Sequence, residues 1–311
     1  MVRENGILPV GAADLGWAVG CSCRGASHVR AGKPCQDAFG VWSGASGGYP
    51  CLIAAVADGH GDSQHDLSEV GSAIAARVAM NELLSPVPED ALYDSLPSMG
   101  EAFSATLPRR ISDRWAEEVI ADAATRFGGI PTGSNGQEMV VRRYGTTLLT
   151  ARISSRLIMV GQIGDGDILL LRNGQRLEHL LDSPHDLVGT TTYSLSSRNA
   201  IPLWRTAVLP RGEGGLLLLA TDGLSDSFGG SDHPQFTTFV RSLGERIAEF
   251  GIGRVAQSLP GWLSAYSQRG SGDDITLVLV MITPETEPMA EADQDATEEG
   301  SGYDPADRPE N

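Results

Sequence analysis

Cysteine is scarce in this chain of 311 residues, which contains only Cys21, Cys23, Cys35 and Cys51. Four cysteines are too few for a scaffold held together by disulfide bonds. The spacing Cys21-Ser-Cys23 also differs from that of a zinc knuckle. Because these two residues alternate with Trp17 and Val19, we expect them to be small apolar side chains on one face of a strand.

Long apolar runs and clustered positive charge are also missing. No run approaches the ~18 apolar residues that cross a bilayer, and the N-terminal segment lacks the apolar core of a signal peptide. The chain has 40 acidic residues against 23 lysines and arginines, a formal net charge of -17. Without a basic stripe, such a protein is a poor partner for nucleic acid or anionic membranes. We therefore expect a cytoplasmic protein that binds neither.

The acidic charge is concentrated at the C-terminal end. Residues 284–311 carry ten acidic residues and one arginine, a net charge of -9 that leaves -8 for residues 1–283. This segment also has four prolines and no aliphatic periodicity, which predicts a disordered acidic tail. We expect it to aid solubility rather than to dock specifically. Residues 1–283 show no repeat or linker and are expected to form one domain.

Short apolar runs bounded by Gly, Asp, Asn or Ser predict β-strands. They lie at residues 51–57, 146–153, 156–163, 167–172, 215–221 and 275–282. Residues 156–172 are expected to form a hairpin around the turn Gly-Asp-Gly-Asp, and Arg172-Asn173-Gly174-Gln175 predicts a second tight turn. Adjacent strands joined by tight turns indicate antiparallel pairing.

Between the strands lie patterns typical of helices. A first helix is expected to begin near Ser63 or Asp66, and its buried face would contain Leu67, Val70, Ile74 and Val78. Further helices are expected around Ile111, Trp115 and Val119, over 236–249 and over 252–267. Helices that cluster in pairs between antiparallel strands predict a layered α+β architecture rather than a βαβ alternation.

Aspartates recur beside these strands, next to glycine or another small residue. They are Asp37, Asp58, Asp165, Asp222 with Asp226, and Asp273 with Asp274. One such residue alone is usually a turn or cap. Several carboxylates in one cleft stay ionised only if cations lie among them. A set of oxygen ligands without Cys or His selects hard ions such as Mg²⁺ or Mn²⁺.

The stretch Asp58-Gly59-His60-Gly61 suggests how such ions would be used. Two ions about 3.5–4 Å apart can lower the pKa of a shared water molecule. Asp58 could bridge both ions, the Gly59 carbonyl could bind one, and His60 could protonate a leaving alkoxide. An ordinary turn residue is the alternative for His60. The pattern indicates a hydrolase that acts on a phosphoester.

Taken in order, the motifs resemble those of the metal-dependent protein phosphatases of type 2C, and the resemblance runs from about Gly16 to Ile282. They are an acidic motif, Asp58-Gly-His-Gly, Gly145-Thr-Thr, Gly164-Asp-Gly, Asp222-Gly with Asp226, and Asp273-Asp274. The resemblance implies a four-layer α-β-β-α sandwich, in which helix pairs flank two mainly antiparallel sheets. It also implies a monomer that hydrolyses phosphoserine and phosphothreonine on proteins, in a pathway with a Ser/Thr kinase.

The resemblance further implies two ions of Mg²⁺ or Mn²⁺, with a weaker third. The ligands would be Asp58, Asp222 and Asp273 for the first ion, Asp37, Asp58 and the Gly59 carbonyl for the second, and Asp165 and Asp226 beside Asp222 for the third. The catalytic residues would be Asp58, Asp222 and His60, of which His60 matches the general acid proposed for the family.

One departure concerns the substrate phosphate. The family usually has an arginine five residues before the first acid, where its guanidinium binds the phosphate, but this position is Gly32. Lys33, Arg30, Arg24 or His28 could replace it, and Lys33 is nearest in sequence. Because lysine lacks the forked guanidinium, we expect a different mode of phosphate binding, typical of a divergent bacterial branch.

Two alternative functions stay open at this point. A pseudophosphatase would bind phosphorylated partners or a kinase without turnover, and the absent arginine is its only support. A metal-dependent hydrolase of a small phosphoester would be distinguished by the loops around residues 180–200. The presence of every metal-site acid favours a catalyst.

Overall fold

A computed structural model describes residues 2–3, 6–12, 14–85, 95–129, 134–182 and 193–285. Within these residues the chain forms twelve β-strands and seven α-helices. The strands are β1 Val2–Arg3, β2 Gly6–Ala12, β3 Gly16–Cys23, β4 Ala38–Ser46, β5 Tyr49–Ala57, β6 Leu148–Ile153, β7 Leu157–Ile163, β8 Asp167–Arg172, β9 Arg176–His179, β10 Arg205–Pro210, β11 Gly215–Ala220 and β12 Ile275–Ile282. The helices are α1 Ala26–Ala31, α2 Ser68–Leu83, α3 Leu96–Phe127, α4 Ser134–Arg142, α5 Asp222–Asp226, α6 Pro234–Phe250 and α7 Ile252–Arg269.

The strands form two sheets of six. The first sheet has the order β1-β4-β5-β6-β7-β10, and the second has the order β2-β3-β12-β11-β8-β9. Every pairing between the described strands is antiparallel. The predicted antiparallel pairing is therefore confirmed.

The two sheets pack face to face. Successive side chains along each strand point alternately to the other sheet and to the covering helices. On β5, Leu52, Ala54 and Val56 belong to the core between the two sheets, whereas Ile53 and Ala55 face the helices that cover the first sheet, as the two-residue period of a strand requires. α2 and α3 cover the first sheet, and α6 and α7 cover the second. The predicted α-β-β-α sandwich is confirmed. Strands buried on both faces also account for the continuous apolar runs.

The predicted helices are present, with one shifted boundary. Ile111, Trp115 and Val119 are all buried on α3, and the segments 236–249 and 252–267 fall within α6 and α7. The first helix begins only at Ser68, later than Ser63 or Asp66. Asp66 does not cap it, because its carboxylate accepts two hydrogen bonds from the Arg143 guanidinium, both 2.7 Å long.

The predicted hairpin at 156–172 is wrong. β7 pairs with β6 and β10 in the first sheet, whereas β8 pairs with β11 and β9 in the second. The turn signal between them correctly marks the end of a strand, but the chain crosses between sheets there, through Gly164 with φ of 106°. Both strands are buried on both faces, so each takes an interior position in its own sheet.

The second predicted turn is confirmed as the connection of the β8–β9 hairpin. Asn173 and Gly174 have φ of 51° and 67°, a left-handed conformation that these two residue types tolerate best.

The cysteines occupy positions that suit small apolar side chains. All four are free thiols, and Cys21 on β3 is buried against the helices of the second sheet. Burial raises the pKa of the Cys21 thiol to about 12. Among the described residues, no helix is both long and apolar enough to span a membrane. The acidic tail from residue 286 onwards and residues 183–192 lie outside the described part of the chain.

Candidate active site

The strand registers bring the predicted aspartates to one end of the sandwich. Asp37 directly precedes β4 and Asp58 directly follows β5, and Ala38 pairs with Ala57 at the shared end of those strands. In the second sheet, Asp222 follows β11 and Asp273 precedes β12, while these two strands are antiparallel neighbours. Antiparallel pairing thus places an outgoing and an incoming aspartate side by side in each sheet.

A hydrogen bond joins the ends of the two sheets. The Asp37 carboxylate accepts a hydrogen bond of 3.0 Å from the Thr221 hydroxyl. The carboxyl groups of Asp58 and Asp222 lie close enough for each to shift the pKa of the other. The two strand-end pairs therefore form one acidic cluster.

The environment of the cluster disfavours the ionised form of its carboxyl groups. Desolvation raises the pKa of Asp58 well above its usual range, and repulsion by Asp37 and Asp222 raises it further. Desolvation also raises the pKa of Asp222 to about 7, with repulsion by Asp165 as the next cause. Carboxyl groups with raised pKa values keep their protons at higher pH, and a bound cation can take the place of such a proton.

The ligand chemistry fits a hard divalent cation. The donors are carboxylate and carbonyl oxygens, and positive charge would relieve the repulsion that raises the pKa values. Among the described residues, no group of three or more His, Cys, Asp or Glu side chains is already arranged tightly enough to hold an ion. Mg²⁺ retains several water molecules and needs few protein ligands.

Two glycines of the motifs serve close backbone approach. A Cβ atom on Gly59 would lie 2.6 Å from the Gln36 carbonyl oxygen and 2.8 Å from that of Ser68. A Cβ atom on Gly223 would lie 2.2 Å from the Asp274 carbonyl oxygen. The glycine after Asp222 therefore lets β12 begin beside α5. A glycine after each of these aspartates is therefore required by the close packing of the backbone, and it also leaves room for a ligand to approach.

Asp165 and Asp226 approach the cluster from a second side. Asp165 lies in the connection from β7 to β8, where the chain crosses between the sheets. Asp226 ends α5, four residues after Asp222 and hence on the same helical face. Desolvation raises the pKa of Asp226, followed by repulsion from Asp165. The structure thus brings these predicted residues together.

His60 lies directly beside the cluster. Its backbone N–H donates to the Gly145 carbonyl at 3.1 Å, and its ring packs edge-on against His65 with ring centroids 4.8 Å apart. Burial, and secondly the neighbouring His65, lowers the pKa of His60 to about 4. His60 is therefore neutral in the free protein at neutral pH.

Three of the candidates for phosphate binding differ in position. Lys33, the only lysine in the sequence, donates from Nζ to the Gly61 carbonyl at 2.7 Å, and so lies over the loop that follows Asp58. His28 is buried; its Nδ1 lies 2.9 Å from the Asp274 carboxylate. The hydrogen bond with Asp274 raises the pKa of His28. Arg30 is exposed, and within the described residues the structure gives it no ion pair.

Asp274 is a structural residue rather than a free ligand. Its carboxylate accepts hydrogen bonds from the backbone N–H groups of Gly25 at 2.5 Å and Gln36 at 2.6 Å. It therefore connects the start of α1 and the segment before β4 to the start of β12. The order of motifs placed Asp274 next to the site, but its hydrogen bonds give it a separate role.

Arg205 also lies near the site, although no pattern in the sequence indicates this. Its guanidinium donates to the carbonyls of Gly164 at 2.6 Å and Asp182 at 2.5 Å, and it experiences the charge of Asp165. Arg205 lies forty residues after Asp165 and belongs to no recognisable motif. Only the β10–β7 register, in which Arg205 pairs with Gln162, places it here.

A family model described as Protein phosphatase 2C matches residues 24–264 of the chain. This range extends from just before α1 into α7 and covers about three quarters of the sequence. None of the curated proteins matches the sequence.

Solved structures share the fold at low sequence identity. The phosphatase PstP/Ppp of Mycobacterium tuberculosis superposes with a TM-score of 0.53 and 20% identity, over 86% of this chain and 99% of that one. The PstP catalytic domain in complex with two manganese ions gives 0.52 and 20%, over 86% and 99%. Stp1 of Staphylococcus aureus gives 0.54 and 16%, over 85% and 94%. With the family match over residues 24–264, these results show that the chain belongs to the protein phosphatase 2C family.

Proposed function

We propose that this protein hydrolyses phosphoserine and phosphothreonine on other proteins, with divalent cations bound among its aspartates. The observation behind the proposal is the proximity of the Asp58 and Asp222 carboxyl groups, which follow strands of different sheets and shift each other's pKa. Membership of the family supports a metal-dependent serine/threonine protein phosphatase. The binding-only and small-phosphoester alternatives are not favoured, because all the acids of the site are present and lie at one end of the sandwich.

The proposed ions are Mg²⁺ or Mn²⁺, two of them with a weaker third. Their ligands would be Asp58, Asp222 and Asp273 for the first, Asp37, Asp58 and the Gly59 carbonyl for the second, and Asp165 and Asp226 beside Asp222 for the third. When bound, such ions would activate water for attack on phosphorus and offset the charge of the phosphoryl oxygens. The cluster supports this assignment because desolvation, followed by repulsion from Asp165, raises the pKa of Asp222 and of Asp226.

Lys33 is the residue that we assign to the substrate phosphate. Its Nζ already reaches the loop that follows Asp58, where it donates to the Gly61 carbonyl. This carbonyl is a weak competitor for an ammonium group when a phosphate dianion is present. A single ammonium group can orient the phosphate but cannot form the paired hydrogen bonds of a guanidinium.

His60 is the proposed proton donor to the leaving serine or threonine oxygen. It is neutral in the free protein because its pKa is about 4. A phosphate dianion beside the ring would favour the imidazolium form. Substrate binding would thus load the ring nitrogen with the proton that it later gives up.

The proposed substrates are phosphorylated proteins of a pathway that includes a Ser/Thr kinase. A monomeric state and a cytoplasmic location stay predictions.

Turnover of two substrates tests the proposal. A phosphothreonine peptide and a small aryl phosphate would be offered with Mn²⁺, with Mg²⁺ and with chelator. We expect metal-dependent hydrolysis of the peptide that chelator abolishes. Hydrolysis of the aryl phosphate alone would favour a small-molecule substrate, and peptide binding without hydrolysis of either would favour the binding role.

A further inference from the structure

A small pocket lies between the end of α6 and the first half of α7, far from the aspartates. Its volume is about 250 Å³. The lining residues are Arg246, Phe250, Arg254, Val255, Ser258 and Trp262. We call it the Arg246–Arg254 pocket. Phe250 is 54% exposed and presents its ring beside the two arginines.

The pocket is positively charged although the protein is strongly acidic. The Arg246 guanidinium lies over the Trp262 ring, 5.3 Å from its centroid. Neither Arg246 nor Arg254 forms an ion pair with any acid in the part of the chain that the structure describes. α7 begins at Ile252, and its N-cap residue Gly251 offers no side-chain cap, so the N–H groups of its first turn add positive potential. The pocket suits a ligand that combines carboxylates with an aromatic ring.

The fold places this pocket at the end of the sandwich where the described chain stops. α7 reaches the aspartate end through Ser267, whose hydroxyl donates to the Asp273 carbonyl at 2.8 Å. The first turns of α7 therefore lie at the opposite end. β12 starts beside Asp273 and runs to Ile282, so it also ends there. Glu285 is the last described residue, and its N–H donates to the Gly212 carbonyl at 2.7 Å.

We propose that the Arg246–Arg254 pocket binds the acidic C-terminal segment, residues 286–311, of the same chain. This segment has nine acidic residues, one arginine and a single aromatic residue, Tyr303, which is followed by Asp304. Twenty-six residues span up to ~90 Å when extended, which is ample for a pocket at the same end. The tail therefore has a docking site on the domain, in addition to the solubilising role expected from its composition. This docking does not depend on the phosphatase activity.

Cleavage by chymotrypsin after Tyr303 tests the docking in the full-length protein. Mass spectrometry would follow the loss of residues 304–311. We expect the variant with Arg246→Glu and Arg254→Glu to be cleaved about tenfold faster than wild type, since proteolysis tracks the population of undocked tail. High salt should speed cleavage of wild type in the same way.

Two further variants make the test specific. The matched control, Arg109→Glu with Arg142→Glu, makes the same charge change at exposed positions on α3 and α4, and should be cleaved at the wild-type rate. Adding Glu298→Arg and Glu299→Arg to the pocket variant should restore protection. Equal cleavage of wild type and the pocket variant would overturn the proposal. Protection that disappears on dilution would also overturn it, in favour of docking on a second copy.

Discussion

The carboxyl groups of Asp58 and Asp222 lie next to each other, and each shifts the pKa of the other, although they follow strands of different sheets. Asp58 directly follows β5 in the first sheet, and Asp222 follows β11 in the second. The contact exists because the two sheets pack face to face with these strand ends in line. It places a proton, or a cation that replaces it, at the junction of the two halves of the sandwich.

The stability that Asp222 contributes to the metal-free protein should fall as pH rises from about 4 to about 7, whereas His60, whose pKa is lowered to about 4, contributes in the opposite direction. The pKa of Asp222 is raised from 3.8 to about 7 by desolvation and by Asp165. Below pH 3.8 both the folded and the unfolded chain hold the proton. Between these values the unfolded chain releases it while the folded chain keeps it, so the free energy of unfolding decreases with pH. Thermal unfolding in chelator at pH 5 and pH 8 measures this.

Divalent cations should reverse that trend. Ions that replace the proton bind more tightly when the carboxyl groups are ionised, so Mg²⁺ or Mn²⁺ should raise Tm more at pH 8 than at pH 5. Asp222→Asn should reduce both the pH effect and the metal effect. Equal metal-induced shifts at the two pH values would contradict the assignment of the cluster to cations.

Replacing His60 by glutamine should lower kcat by about 10²–10⁴, the usual contribution of a general acid. Glutamine keeps a polar side chain of similar reach but cannot transfer a proton at neutral pH. The loss should be smaller for an aryl phosphate, whose leaving group needs no proton. Comparison of the two substrates in wild type and His60→Gln checks this, and an equal loss on both would assign His60 a structural role.

Lys33 can be tested selectively because it is the only lysine. An amine-directed reagent should modify this side chain, and inorganic phosphate should slow its modification. Lys33→Ala should raise KM by about tenfold or more, as expected when one charge-assisted contact is lost. Lys33→Arg should restore much of the affinity. Arg30→Ala, which removes an exposed charge on α1, serves as the control and should leave KM close to the wild-type value.

Gly223→Ala should destabilise the folded protein by about 1–3 kcal/mol, the range for inserting an atom into a close-packed site. Its Cβ atom would lie 2.2 Å from the Asp274 carbonyl oxygen. The matched control is Gly253→Ala at an exposed position on α7. No atom lies within 4 Å of the added Cβ there, and helix propensity favours alanine. Denaturant unfolding of both variants gives the comparison, and equal stabilities would contradict the close approach.

The sequence predicts the layers and most of the site because both follow from local patterns. Strands that end in Asp-Gly, such as those before Asp58 and Asp222, can be read directly. The pairing of strands cannot be read in this way, since a turn signal such as the one at Gly164 does not show whether the chain returns to the same sheet. Arg205 escaped for the same reason, because only strand register brings it to Asp165. The hydrogen bonds that occupy Asp274 depend on backbone geometry that motif order does not contain.

Calorimetric titration with Mn²⁺, combined with turnover of a phosphothreonine peptide, tests the central claim most directly. The comparison is wild type against Asp58→Asn, with Asp113→Asn at an exposed position on α3 as the matched control. The account predicts that wild type and control bind about two ions per chain and hydrolyse the peptide, whereas Asp58→Asn loses tight binding and activity together. Full activity of Asp58→Asn, or hydrolysis by wild type in chelator, would contradict it.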